Sequence, residues 1–97
     1  MKTEEILRQA AAVIRSELKS SCRVFLFGSR TKEMCDEKSD IDIGILSDTR
    51  ISGKQWMAIQ DRMEQIPTLL KIDVVDFNTV DEGFKKSALK HIKDLDI

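Results

Sequence analysis

Val24-Phe25-Leu26-Phe27-Gly28-Ser29-Arg30 and, after nine intervening residues, Asp40-Ile41-Asp42-Ile43-Gly44-Ile45-Leu46 together dictate the architecture. The first four residues are apolar and rich in aromatic and β-branched types, and Gly28 stops them, which predicts a strand running from Cys22 to Phe27. With no polar alternation from Val24 to Phe27, that strand is expected to be covered on both faces. The second segment alternates. Residues i and i+2 of a strand share a face, so Asp40 and Asp42 stand side by side while Ile41, Ile43 and Ile45 fill the other face. Two carboxylates about 5 Å apart repel by roughly 3 kcal/mol at an effective dielectric near 20, a sizeable fraction of a small domain's stability. A divalent cation is the simplest compensation, and Mg²⁺ is commonly held by one or two carboxylates together with substrate phosphates.

A Gly-Ser pair after an apolar strand, ten intervening residues, then Asp-x-Asp within an apolar strand resembles the signature of the DNA polymerase beta-like nucleotidyltransferase superfamily. In a chain of 97 residues the pattern is most similar to that superfamily's minimal nucleotidyltransferase (MNT) group. The resemblance extends from the first strand to a third carboxylate near Asp73. It implies an α+β fold of the polymerase beta-like palm type and transfer of a nucleoside monophosphate, AMP from ATP or its counterpart from another nucleoside triphosphate, to a hydroxyl acceptor. It also implies two Mg²⁺ ions held by Asp40 and Asp42, with Asp73 completing the second ion's shell and assisting deprotonation, so that both oxygens of an in-line displacement are stabilised.

On the same resemblance Gly28 lets the backbone approach the phosphates, Ser29 offers a hydroxyl and an N–H, and Arg30 meets a phosphate through its planar fork. Arg30 reads equally well as a solvated turn residue. Proteins of this group are often paired with a helical HEPN protein, as the antitoxin that adenylylates its toxin partner. The resemblance further implies small residues and another glycine after Gly-Ser, where this chain has Thr31, Lys32 and Glu33. That departure motivates a second reading, a non-catalytic module of the same fold that masks a partner protein.

Composition narrows the classes. Sixteen Lys and Arg against seventeen Asp and Glu give a net charge of −1, no basis for general nucleic-acid binding. One Trp, four Phe and no Tyr do not make a platform for a run of bases. No apolar run spans a membrane and the first residues lack a signal-peptide core, so the expected location is cytoplasmic, with no membrane partner. Cys22 and Cys35 are read as free thiols, and a zinc site from them and His91 lacks a close ligand pair. Gly28-Ser29-Arg30-Thr31-Lys32 lacks the ending of a P-loop. Ile51 at the twelfth position from Asp40 excludes an EF-hand.

Along the rest of the chain, Thr3 reads as the N-cap of a helix whose apolar positions run from Ile6 to Leu18. Ser52-Gly53-Lys54-Gln55 fits a capping box opening a second helix, with Trp56, Ile59, Met63 and Ile66 as its stripe and Pro67 as its end. Leu69 to Phe77 is the predicted third strand. In it Asp73 and Val75 share a face opposite Ile72, Val74 and Asp76, and turning Ile72 and Val74 toward the helices favours Asp73 over Asp76 as the third carboxylate. A capping box over 79–82 starts the last helix, and Lys93 to Ile97 is expected to fray or meet a partner. The prediction is one domain, 1–97, with a small mixed sheet and helices mainly on one face, because the first two strands are joined too closely for a parallel crossover. With no separate recognition domain, a protein or small-molecule acceptor is favoured over nucleic acid. Base preference, acceptor and homo-oligomeric state are left open.

Overall fold

The computed structural model describes residues 3–19, 21–28 and 40–95. Its elements are α1 (Thr3–Leu18), β1 (Cys22–Phe27), β2 (Ile41–Ser47), α2 (Gly53–Glu64), β3 (Ile72–Asp76), α3 (Glu82–Ala88) and β4 (Lys93–Asp94). They form one four-stranded sheet in the order β3-β2-β1-β4. β1 and β2 run antiparallel, from Cys22 opposite Ser47 to Phe27 opposite Asp42. β2 and β3 run parallel, which α2 makes possible by crossing between them. The mixed α+β sheet expected from the sequence is therefore the one observed.

Periodicity explains how the layers form. α1 buries Ile6, Ala10, Ala11, Val13, Ile14 and Leu18 along one side. These residues meet Val24, Leu26, Ile41, Ile43, Ile45 and Val74 from the sheet, with Ile59 and Met63 of α2 completing the main core. The opposite sheet face carries a second, aromatic core of Phe25, Phe27 and Phe77, against which Ala88, Leu89 and Ile92 pack. Both faces of β1 are thus covered, and two of the three helices lie on the isoleucine side.

Ser52 caps α2 as predicted: the Gln55 N–H donates to Ser52 Oγ at 3.1 Å and the Ser52 N–H donates to Gln55 Oε1 at 3.0 Å. Elsewhere the boundaries move. Thr3 is already within α1. α3 is capped by Asp81, which accepts the Phe84 N–H at 2.9 Å, while the Thr79 hydroxyl donates to the Asp76 carbonyl. β3 begins only at Ile72, and Leu69 is fully exposed.

At the C-terminus, for which the sequence predicts fraying or contact with a partner, residues 93–95 instead join the fold. Lys93 and Asp94 pair with Leu26 and Phe25 of β1. Leu95 is 4 % exposed, its N–H donates to the Val24 carbonyl, and its own carbonyl accepts from Arg15 at 2.6 Å. Among the described residues no helix is long and apolar enough to cross a membrane.

Candidate active site

β1 delivers Gly28 and β2 delivers Asp42, because the antiparallel register sets Phe27, the residue before Gly28, opposite Asp42. Gly28 adopts φ +78°, a left-handed conformation open to glycine at little cost. A Cβ built on it would lie 2.6 Å from Asp42 Oδ2, so the missing side chain is what lets the turn close over that carboxylate.

The parallel ladder sets Asp42 beside Asp73, with Ile43 beside Val74 on the reverse face. Both apolar residues lie in the main core, and this turns both aspartates outward. Asp40 lies just before β2, exposed, with alternation placing it on the Asp42 side. Asp76 is engaged elsewhere, since its Oδ1 accepts the Asn78 N–H at 2.9 Å in the turn after β3. Ser29, Arg30 and the connection from Thr31 to Lys38 lie outside the described residues, as does Cys35.

Partial burial pushes the Asp42 carboxyl up from its ordinary ionisation range, Asp73 and then Asp40 push it further, and Lys71 pulls it back. The Lys71 ammonium lies 3.8 Å from Asp73 Oδ2, with both side chains substantially in solvent. Lys71 was not singled out from the sequence, although its place two residues before Asp73 puts it on the same strand face.

The donor set is made of carboxylates, the chemistry that Mg²⁺ and Mn²⁺ prefer. Among the described residues no three acidic, histidine or cysteine side chains form a group able to hold a metal ion. An ion bound at Asp42 and Asp73 would therefore draw the rest of its shell from other oxygens, as magnesium usually does with water and phosphate.

Gly44 is a second position that sequence reasoning passed over. A Cβ there would come within 2.4 Å of the Phe25 ring and 2.7 Å of Phe77. Its absence lets the two rings meet edge to face over β2 at 4.9 Å. A glycine inside a strand pattern is the signal that would have found it, since it marks close approach of a neighbouring group. Cys22 is a free thiol, and burial, the dominant influence on it, pushes its pKa up, which makes it a poor nucleophile.

Comparison with protein families matches residues 9–95 to the family described as polymerase beta, nucleotidyltransferase. Comparison with curated protein sequences gives no match. Among solved structures, the chain is similar to a complex of tri-AMPylated HEPN toxin from Shewanella oneidensis with MNT antitoxin. The match has a TM-score of 0.68 at 18 % identity, over 93 % of this chain and 68 % of that one. A toxin-antitoxin structure with AMP-PNP matches with a TM-score of 0.70 at 19 % identity, over 91 % of this chain and 70 % of that one. A nucleotidyltransferase structure from Sulfolobus solfataricus matches at 0.57 and 21 %, over 94 % and 77 %. At such identities the likeness is one of fold.

Proposed function

The chain belongs to the polymerase beta nucleotidyltransferase family, and from that premise we propose that it moves AMP from ATP to a hydroxyl on a partner protein, as the antitoxin of an MNT/HEPN-type pair. The observation that carries this reading is the pairing of Asp42 with Asp73 across adjacent parallel strands, with Gly28 closed over Asp42. Support for the acceptor and the nucleotide comes from the neighbours of like fold, one with a tri-AMPylated HEPN toxin and one with AMP-PNP.

Asp42 and Asp73 are the pair proposed to hold divalent metal, and Asp40, exposed just before β2, is proposed to join them once metal and phosphates are bound, with two Mg²⁺ ions in the full reading. When bound, such ions neutralise phosphate charge and make a hydroxyl more acidic. The chain's own part is positioning and proton handling. Gly28 leaves the turn free of side-chain bulk where phosphate must approach Asp42, and Ser29 and Arg30, next in sequence, are proposed to meet the phosphates. The acceptor oxygen forms a bond to the α-phosphorus as the bond to pyrophosphate breaks, and the hydroxyl proton passes to Asp73. The reading takes the chain as one cytoplasmic domain.

A second reading, a module that masks its partner without modifying it, is favoured by the Lys71 ammonium beside Asp73 and by the residues at Thr31 to Glu33. One experiment separates the two. A purified HEPN-fold partner is incubated with the chain, Mn²⁺ or Mg²⁺ and ATP, and intact-mass spectrometry follows the partner. Gain of AMP that disappears with Asp42→Asn supports transfer. A partner that is bound and inhibited but unchanged in mass points to masking.

A further inference from the structure

All four phenylalanines of the chain gather on the carboxylate face of the sheet. Three of them are core residues: Phe25, Phe27 and Phe77 are 0 %, 8 % and 1 % exposed. Phe84, on α3, is 43 % exposed. Its ring lies 6.1 Å from Phe27, nearly perpendicular at 88°, and 5.8 Å from Phe77. Phe27 is the strand partner of Asp42 and the residue before Gly28. Phe84 therefore overhangs the sheet one ring away from the residues that flank the carboxylates. Its backbone is fixed too, because its own N–H is the donor that Asp81 accepts in capping α3.

We propose that the open side of Phe84 is the stacking surface for the nucleobase of the nucleoside triphosphate whose phosphates sit at Asp42 and Asp73. The inference rests on the proposed function and adds to it the residue that recognises the base. A nucleoside triphosphate is polar at one end and a flat aromatic plate at the other, so an exposed π face set back from metal-binding carboxylates matches its shape and chemistry. The other large apolar side chains that stand exposed among the described residues, Met57 and Leu69, have no ring. One ring is too little for a nucleic-acid strand but sufficient for one base, and its edge-to-face contacts hold it in place before any ligand arrives. Stacking tolerates every base and grows with the plate, so the site would favour purines over pyrimidines without separating adenine from guanine.

The alternative is that Phe84 merely closes the aromatic cluster, and a comparison of two ligands distinguishes them. Calorimetric titrations of ATP and of inorganic tripolyphosphate, each with Mn²⁺, are run on the wild type, Phe84→Leu and Phe84→Trp. Leucine keeps the apolar contact that stabilises α3 and removes the π face. The expected result is ATP binding weakened about five- to hundredfold in Phe84→Leu, restored in Phe84→Trp, with tripolyphosphate binding unchanged throughout. UTP should lose less than ATP. Equal weakening of ATP and tripolyphosphate, or undiminished ATP binding by Phe84→Leu, overturns the stacking role while leaving the carboxylate site standing. A wild type that binds neither ligand overturns both the stacking role and the proposed function.

Discussion

Asp42 is the residue at which stability and the proposed function pull in opposite directions. Its carboxyl is pushed up by partial burial and by Asp73 and Asp40, so between the ordinary aspartate value and the higher folded value the native state holds a proton that the unfolded chain has released. The resulting contribution to stability is complete below the ordinary value and is lost as pH rises through the folded one. At neutral pH the charge is therefore a burden on the metal-free protein. Asp42→Asn is expected to raise the melting temperature there, and the gain should shrink toward zero as pH falls below the ordinary aspartate range. Solvent screening of this partly exposed group keeps the gain at or below about 1 kcal/mol. Thermal melts from acid to neutral pH, without metal, check it, and a variant less stable than wild type at neutral pH would refute it. The same substitution should abolish Mn²⁺ binding. Gly28→Ala differs in that it harms both properties. A left-handed φ costs a side-chain-bearing residue about 1–2 kcal/mol, and the new methyl displaces Asp42 Oδ2 from 2.6 Å away. Denaturant unfolding should register that loss, and affinity for Mn²⁺–ATP should fall about tenfold or more.

At the scale of elements, β4 is a short strand fastened by the Arg15 hydrogen bond to the Leu95 carbonyl and by three further interactions. Leu95 is buried among core residues, its N–H donates to Val24, and Arg23 holds Asp94 with two hydrogen bonds of 2.8 and 3.1 Å. Burial carries the weight. Leu95→Ala is expected to cost about 2–4 kcal/mol and to speed hydrogen exchange at the Leu95 amide, whereas Arg23→Gln should cost much less because that pair is open to water. Equal costs for the two variants would mean that the ion pair, and not the apolar anchor, fastens the strand. The Arg23 hydrogen bond holds the Asp94 carboxyl below its usual value, so its contribution is present above the ordinary aspartate range and fades as pH falls. The sequence did not disclose β4, since a two-residue strand has no periodicity to read. Other elements were legible: β1 carries the predicted bounds, and α2 begins at the predicted Ser52 cap.

The whole molecule sets a mixed sheet between two apolar cores and brings a charged face to the edge of the aromatic one. A ligand that binds only this assembled arrangement stabilises it by mass action. At one hundred times its dissociation constant, Mn²⁺–ATP should add about 2.7 kcal/mol. For a domain of this size that is a rise in melting temperature of more than about 10 °C, absent for Asp42→Asn. A melt that ATP and metal leave unmoved at millimolar concentrations would count against the proposed function. What depends on near neighbours could be read along the chain. Helical spacing in α1, the Ser52–Gln55 box, the apolar run of β1 and the alternation that sets Asp40 and Asp42 on one face all lie within a few residues of chain. Which distant residues meet was settled by the folded packing, and it is the fold that supplies the rest of the candidate site. It set Asp73 beside Asp42, closed Gly28 over that carboxylate, brought Lys71 into its field and left Phe84 open beside Phe27. Local pattern fixes which face a side chain takes. Strand register and ring packing, settled by burying isoleucines on one side and phenylalanines on the other, fix what that face is set against.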